Sequence, residues 1–265
     1  MSSKAKLILK IVIPVVCVIL AAAIVLACLY FFLPKSEAQY VAHMGCSKDY
    51  VGNTEAAFRA AAEKDFYGIE TDIRKTKDGV YVCNHDETVK YADGTQMGVS
   101  KHAYAELAAK PLKNGKTDSP VYLCTFQRYL EICKAGGKVA VIELKEDFDI
   151  VELGEMLAIV DVVYDREKIS VISFYYDPLL RVKELDATVS LQYLSETKDD
   201  PYFDKCIKDG ISLDVRQSVL TADLVKRFHA AGLTVNTWTV NKAFDKTIVR
   251  IKGVDYVTTD LFDKN

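Results

Sequence analysis

Two histidines and three carboxylates are spaced in this chain so that they could do chemistry together. His43 ends an apolar run and precedes Gly45, and His85 ends another in Asn84-His85-Asp86. Between them Glu70 and Asp72 lie two apart in a strand-like run, and Glu143 closes a third such run. Side chains alternate along a strand, so Glu70 and Asp72 share a face. Imidazoles exchange protons near neutral pH and suit general acid and base work. Three carboxylates converging on one point repel one another unless a cation neutralises them, and an all-oxygen donor set suits Mg²⁺ or Ca²⁺ rather than a thiolate-seeking metal. Such a set fits a hydrolase that moves protons across a phosphate ester held by a divalent ion. Lys145, two past Glu143, is the expected phosphate contact, and Arg74, two past Asp72, is a second cation able to reach the same place. Trp238, the only tryptophan, ends a strand-like run where it either packs in the core or lines the substrate mouth. Asp260 follows the last run and is expected to order the rim.

The elements that must position these groups are short Val-, Ile- and Tyr-rich runs alternating with helix-like stretches. Strands are expected at 40–43, 68–73, 80–84, 139–144, 169–173, 189–194, 211–215, 234–239 and 256–259. Thr221 caps a helix with Leu224, Val225 and Phe228 on one side and Gly232 at its end, and Asn53 opens another. Repeated βα units in a chain of 265 residues point to an α/β protein, a (β/α)8 TIM barrel. Nine strands exceed eight, but the second and third are joined by too few residues for a parallel crossover. They are expected to form an antiparallel hairpin around Lys77-Asp78-Gly79, with Val82 opposite Ile73, Cys83 opposite Asp72 and His85 near Glu70. Residues 87–120 read as a small inserted cap with one helix at 101–110.

The first 35 residues are of another kind. Residues 11–33 are 23 in a row without a charge, long enough to cross a hydrocarbon core as one helix. Lys4, Lys6 and Lys10 precede that stretch and only Lys35 follows closely, which puts residues 1–10 in the cytoplasm and the domain at 36–265 outside, as a single-pass protein of the cell membrane. A cleaved signal peptide would have a shorter apolar stretch ending in small residues, whereas this one ends Tyr30-Phe31-Phe32-Leu33. The chain has 37 acidic and 34 basic residues, four of the latter being the early lysines, so beyond residue 35 acids lead by seven. That balance disfavours nucleic acid as a partner. Cysteines at 46, 83, 124, 133 and 206 show no paired metal-finger spacing and read as small core residues, with one disulfide possible.

Taken in order, these pieces resemble the glycerophosphodiester phosphodiesterase family, whose pattern is HRG, ENT-x-x-AF, E-x-D with TKDG, a closing HD, then E-L-K, W-T-V-N and T-D. Here they stand as His43-Met44-Gly45, Asn53-Thr54 with Ala57-Phe58, Glu70-Thr71-Asp72, Thr76-Lys77-Asp78-Gly79, His85-Asp86, Glu143-Leu144-Lys145, Trp238-Thr239-Val240-Asn241 and Thr259-Asp260. The resemblance implies a barrel with His43 and His85 as general acid and base, and Glu70, Asp72 and Glu143 as ligands of a divalent metal, Mg²⁺ or Ca²⁺. It implies attack of glycerol's free hydroxyl on phosphorus, then opening of a cyclic phosphate by water, releasing glycerol 3-phosphate and an alcohol. Met44 replaces the arginine that typically grips phosphate, and Gly52 stands where the glutamate would be. Arg74 could supply the missing charge. A lysophospholipase D-like activity and a non-catalytic binding domain on the same barrel are the competing readings.

Overall fold

The computed structural model describes residues 3–117 and 119–261, except for some side chains of the first helix. Helix α1 (Ser3–Phe32) comes first. Eight strands then run parallel: β1 (Gln39–Ala42), β2 (Gly68–Lys75), and, after the inserted part, β7 (Val139–Leu144), β8 (Ile169–Ser173), β9 (Ser190–Ser195), β10 (Ser212–Arg216), β11 (Val235–Trp238) and β12 (Tyr256–Thr259). Each pairs with the next, and β1 pairs with both β12 and β2, so the sheet closes into a barrel. Helices α2 (Glu55–Ala62), α4 (Phe126–Gly136), α5 (Ile150–Val163), α6 (Tyr176–Leu185), α7 (Tyr202–Asp209), α8 (Ala222–Ala230) and α9 (Ala243–Lys252) wrap it, giving the expected (β/α)8 architecture.

The strands are nearly continuous apolar runs because parallel barrel strands are covered on both faces. Ile169–Ser173, for example, is buried at every position. One core lies between strands and helices, with Phe58, Ile69, Tyr129, Leu213 and Phe228 among its members. A smaller one fills the barrel, where Val41, Val141, Ile172 and Leu194 meet beneath the site. Burying each such side chain stabilises the fold by about 1.5–3 kcal/mol before the ordering entropy is counted.

The extra strand is where expected, but its register is not. Strand β3 (Tyr81–Cys83) pairs antiparallel with β2, with Ile73 opposite Cys83 and Arg74 opposite Val82, one residue away from the sequence expectation. Gly79 adopts a left-handed φ of 84° and is an extra loop residue, so the turn holds three residues rather than two. A one-residue slip changes which side chains face one another, yet His85, past the end of β3, still lines one cavity with Glu70.

The insertion contains a hairpin, β4 (Thr88–Lys90) and β5 (Gln96–Gly98), a short α3 (Tyr104–Leu107), and β6 (Cys124–Thr125), which pairs with β3. Val89, Tyr91, Val99, Leu107, Leu112 and Leu123 give it a core of its own. The single helix expected at 101–110 is reduced to α3, because His102 and Ala103 are extended and Pro111 soon follows. The N-cap of α2 is Thr54, whose hydroxyl accepts from the Ala57 amide, and not Asn53. All cysteines among the described residues are free, so the possible disulfide is not formed.

Among the described residues no helix is long and apolar enough to cross a membrane. The described apolar side chains of α1, from Ile8 to Val25, are exposed. The chain is fastened to the barrel just beyond, where the Ser36 amide and hydroxyl donate to the Arg250 and Val254 carbonyls, and the Arg250 guanidinium donates back to the Ser36 carbonyl.

Candidate active site

The three carboxylates come together at the strand ends. Glu70 and Asp72 on β2 and Glu143 on β7 each offer an oxygen, all within 4.8 Å of one another. The β2–β7 register, Asp72 beside Glu143, brings this about. Glu70 Oε1 and Asp72 Oδ1 are buried without a hydrogen-bond donor, although Asp72 Oδ1 lies 3.5 Å from the Lys145 ammonium. Burial and the Asp72 charge push the Glu70 carboxyl well above the usual range. Burial and the same charge raise Glu143 to about 7, against the pull of Lys145, whose ammonium donates to Glu143 at 2.7 Å. One lysine does not neutralise three buried carboxylates. Orphaned, converging, hard oxygens of this kind are a fitting cradle for a divalent cation.

The loop after β1 holds the cluster from the other side. Gly45 takes a φ of 77°, and a Cβ there would fall 2.6 Å from the Ala57 backbone. That close approach lets the Met44 amide donate to Glu70 Oε2 at 2.7 Å. Asn53, with a left-handed φ of 60°, donates to Asp72 Oδ2 at 2.6 Å while its own oxygen accepts from the Thr71 hydroxyl and the Asp72 amide. From the sequence alone Asn53 reads as the opening of the helix, which leaves this clamp unseen. Its signal was an asparagine directly before a better cap, Thr54.

His43 follows β1 and donates from Nδ1 to Asp260 Oδ1 at 2.7 Å. Ser47 and Asn241 also donate to that carboxylate, which holds Asp260 at about 2 although burial alone would raise it. Burial pulls the His43 imidazole down, but the Asp260 hydrogen bond and the charges of Glu70, Asp260 and Asp72 overcome it and lift His43 to about 9. At neutral pH it is a proton donor. His85 is more exposed, with Nδ1 against Asp86 Oδ1 at 3.0 Å. It shares a cavity of about 250 Å³ with His43, Glu70, Glu143, Lys145 and Trp238.

Arg74 is largely buried; it lines a cavity with His85, Glu143 and Lys145, and its guanidinium is held by neighbours. Nε and Nη2 donate to the His85 carbonyl at 3.1 and 2.9 Å, and Nη1 to Glu146 at 3.3 Å. It fixes the backbone that carries His85. Lys145 is thus the cation nearest the carboxylates. Trp238 is half-buried at the mouth, edge-on to Phe174 at 5.8 Å, with the Arg216 guanidinium 5.7 Å from its ring. Asp214, fully buried on β10, lines the same cavity and accepts from Asn236 at 3.0 Å. The sequence signal for it is an acid in the middle of an apolar strand.

The family model described as the glycerophosphoryl diester phosphodiesterase family matches residues 43–264. A glycerophosphodiester phosphodiesterase of Caldanaerobacter subterraneus subsp. tengcongensis is 26% identical over 226 residues, 83% of this chain and 93% of that enzyme. A human lysophospholipase D is 34% identical over 113 residues, 42% of this chain and 32% of that protein. Among solved structures, an Oleispira antarctica phosphodiesterase in complex with the product sn-glycerol-3-phosphate superposes with a TM-score of 0.77 at 22% identity, covering 87% of this chain and 94% of that one.

Proposed function

The chain belongs to the glycerophosphoryl diester phosphodiesterase family, and from that membership we propose that it is a glycerophosphodiester phosphodiesterase releasing glycerol 3-phosphate and an alcohol. The observation that carries the reading is the convergence of Glu70, Asp72 and Glu143 on one point beside a cavity lined by His43 and His85. Glu70, Asp72 and Glu143 would hold a divalent cation, Mg²⁺ or Ca²⁺, which when bound polarises the phosphate and offsets the charge that builds on its oxygens. The chain's own groups do the rest. The Met44 amide and Asn53 orient two of the carboxylates, and Lys145 contacts a phosphate oxygen. His85 takes the proton of glycerol's attacking hydroxyl as its oxygen bonds to phosphorus. His43, protonated through Asp260, gives its proton to the departing alcohol as the other ester bond breaks. In the second half the roles reverse: His43 takes a proton from water and His85 returns one to the glycerol oxygen.

The anchor belongs to the same proposal. Residues 11–33 carry no charge, lysines lead them, and α1 is helical throughout Ser3–Phe32, which supports a single span with the barrel on the extracytoplasmic side of the cell membrane. The local likeness to the human lysophospholipase D supports that activity as a second reading. Assaying the protein on glycerophosphocholine, glycerophosphoethanolamine and a lysolipid, with and without chelator, tests both. Chelator-sensitive release of glycerol 3-phosphate is expected. Turnover of the lysolipid alone would favour the second reading, and no turnover, or full turnover after exhaustive chelation, would refute the mechanism.

A further inference from the structure

His43 and His85 line two cavities, not one. The inner cavity is also lined by Glu70, Glu143 and Asp214, and by the apolar Ile172, Phe174, Leu194 and Trp238. The outer one, about 400 Å³, lies between the loop after β1 and the insertion, and its walls include Met44, Val51, Gly52, Cys83 and Leu112. A phosphodiester has two ester arms that diverge from phosphorus. With phosphorus between the histidines and one arm directed to the inner cavity, beside Glu70 and Glu143, the outer cavity is where the other arm goes.

The walls of that outer cavity are built by the two departures from the family pattern, and these touch each other. A Cβ on Gly52 would stand 2.9 Å from Met44 Cβ and 3.4 Å from its Sδ and Cε, so the methionine side chain lies across the glycine. An arginine and a glutamate at these positions would be neighbours of opposite charge. Here both charges are gone at once and an apolar surface remains, continued by Val51 and Leu112. At the rim Lys90 and Lys113 stand against a single acid, Asp86, which Lys90 already engages.

We propose that Met44, Gly52, Val51 and Leu112 form the subsite for the leaving alcohol, and that it selects an alcohol with an apolar stem and no cationic head. The inference rests on the phosphodiesterase reading and adds the chemistry of its leaving group. The test uses the full-length chain and a series of glycerophosphodiesters of ethanol, butanol and hexanol, with glycerophosphocholine alongside. Burying a methylene is worth about 0.8 kcal/mol, so kcat/KM should climb by up to about fourfold per added methylene until the cavity is filled. Glycerophosphocholine should be a poorer substrate than the butanol diester. Met44→Gln, which keeps length and adds polarity, and Val51→Thr should each flatten the hexyl-to-ethyl ratio. That ratio is taken within one variant, so a general loss of activity or folding cancels. A ratio near one in the parent protein, a ratio unchanged in Met44→Gln, or a preference for the choline diester would overturn the inference while leaving phosphodiester hydrolysis standing. No turnover of any member would remove the phosphodiesterase reading and the subsite with it.

Discussion

Replacing Asp260 with asparagine tests the assignment of His43 as the proton donor. The carboxylate accepts from His43 Nδ1 at 2.7 Å, from Ser47 at 2.8 Å and from Asn241 at 2.6 Å, so an amide of the same shape keeps the packing and removes the charge. A hydrogen bond to a charged group contributes about 1.5–3 kcal/mol and a neutral one about 0.5–1.5, a difference of about 1–2 kcal/mol. At about 1.4 kcal/mol per pKa unit, His43 should fall by about one unit from its value of about 9. The sign follows from the role. A general acid must carry its proton, so kcat/KM declines as pH rises through the His43 pKa, and in Asp260→Asn that alkaline limb should move to lower pH by about one unit. Stability moves with it. Because the folded pKa lies above the ordinary 6.5, the contribution of the protonated pair is complete below pH 6.5 and is lost as pH rises through about 9. Asp260→Asn should therefore cost about 1–2 kcal/mol near pH 6, and less near pH 10. The assay is an NMR titration of the His43 ring without metal, paired with kcat/KM against pH with metal present, since a bound cation shares the charges of Glu70 and Asp72. An imidazole titration and an alkaline limb that both stay in place would refute the reasoning.

Three shorter tests address the rest of the site. Adding Mg²⁺ or Ca²⁺ should raise the Tm of the parent protein, equivalent to about 2.7 kcal/mol at a hundred times Kd, and Glu143→Gln should lose most of that rise; a parent Tm indifferent to both ions would remove the metal. Arg74→Lys keeps a charge but cannot reproduce the two bonds to the His85 carbonyl, so kcat should fall about tenfold with KM nearly unchanged, whereas a raised KM with kcat intact would make Arg74 a phosphate contact after all. A chain starting at Ser36 should fold and keep its turnover of water-soluble diesters, because the contacts that fasten Ser36 to Arg250 and Val254 are retained; aggregated protein would place the domain boundary earlier.

The barrel was legible because its strands are apolar on both faces and its helices carry start and stop residues such as Thr221. The acidic cluster was legible because spacing along β2 sets the face and parallel pairing with β7 adds a third carboxylate. The hairpin register was not, since a two-residue and a three-residue turn at Lys77-Asp78-Gly79 differ only in the backbone conformation of Gly79. That difference shifts every β2–β3 pair by one, so that Arg74 faces Val82 while its guanidinium donates to the His85 carbonyl. Asn53 and Asp214 were missed for a related reason: each acts through a partner distant in sequence, Asp72 for the first and Asn236 for the second, which no local pattern reveals.

The way the chain enters the barrel has a geometric consequence. Ser36 is tied to the segment before β12, at the end of the barrel where strands begin, while His43 and the carboxylates lie where strands finish. Three residues separate α1 from Ser36, a reach of about 10–11 Å at about 3.3–3.6 Å per residue. Were α1 to anchor the chain, as proposed, the barrel would stand on the end where its strands begin with the site turned outward, like a cup on a table. A lipid in the same bilayer would have to leave it and travel around the barrel wall to be cut, whereas a dissolved diester arrives directly. The tether would then act as a mooring that holds the site away from the bilayer it stands on, facing whatever diffuses past.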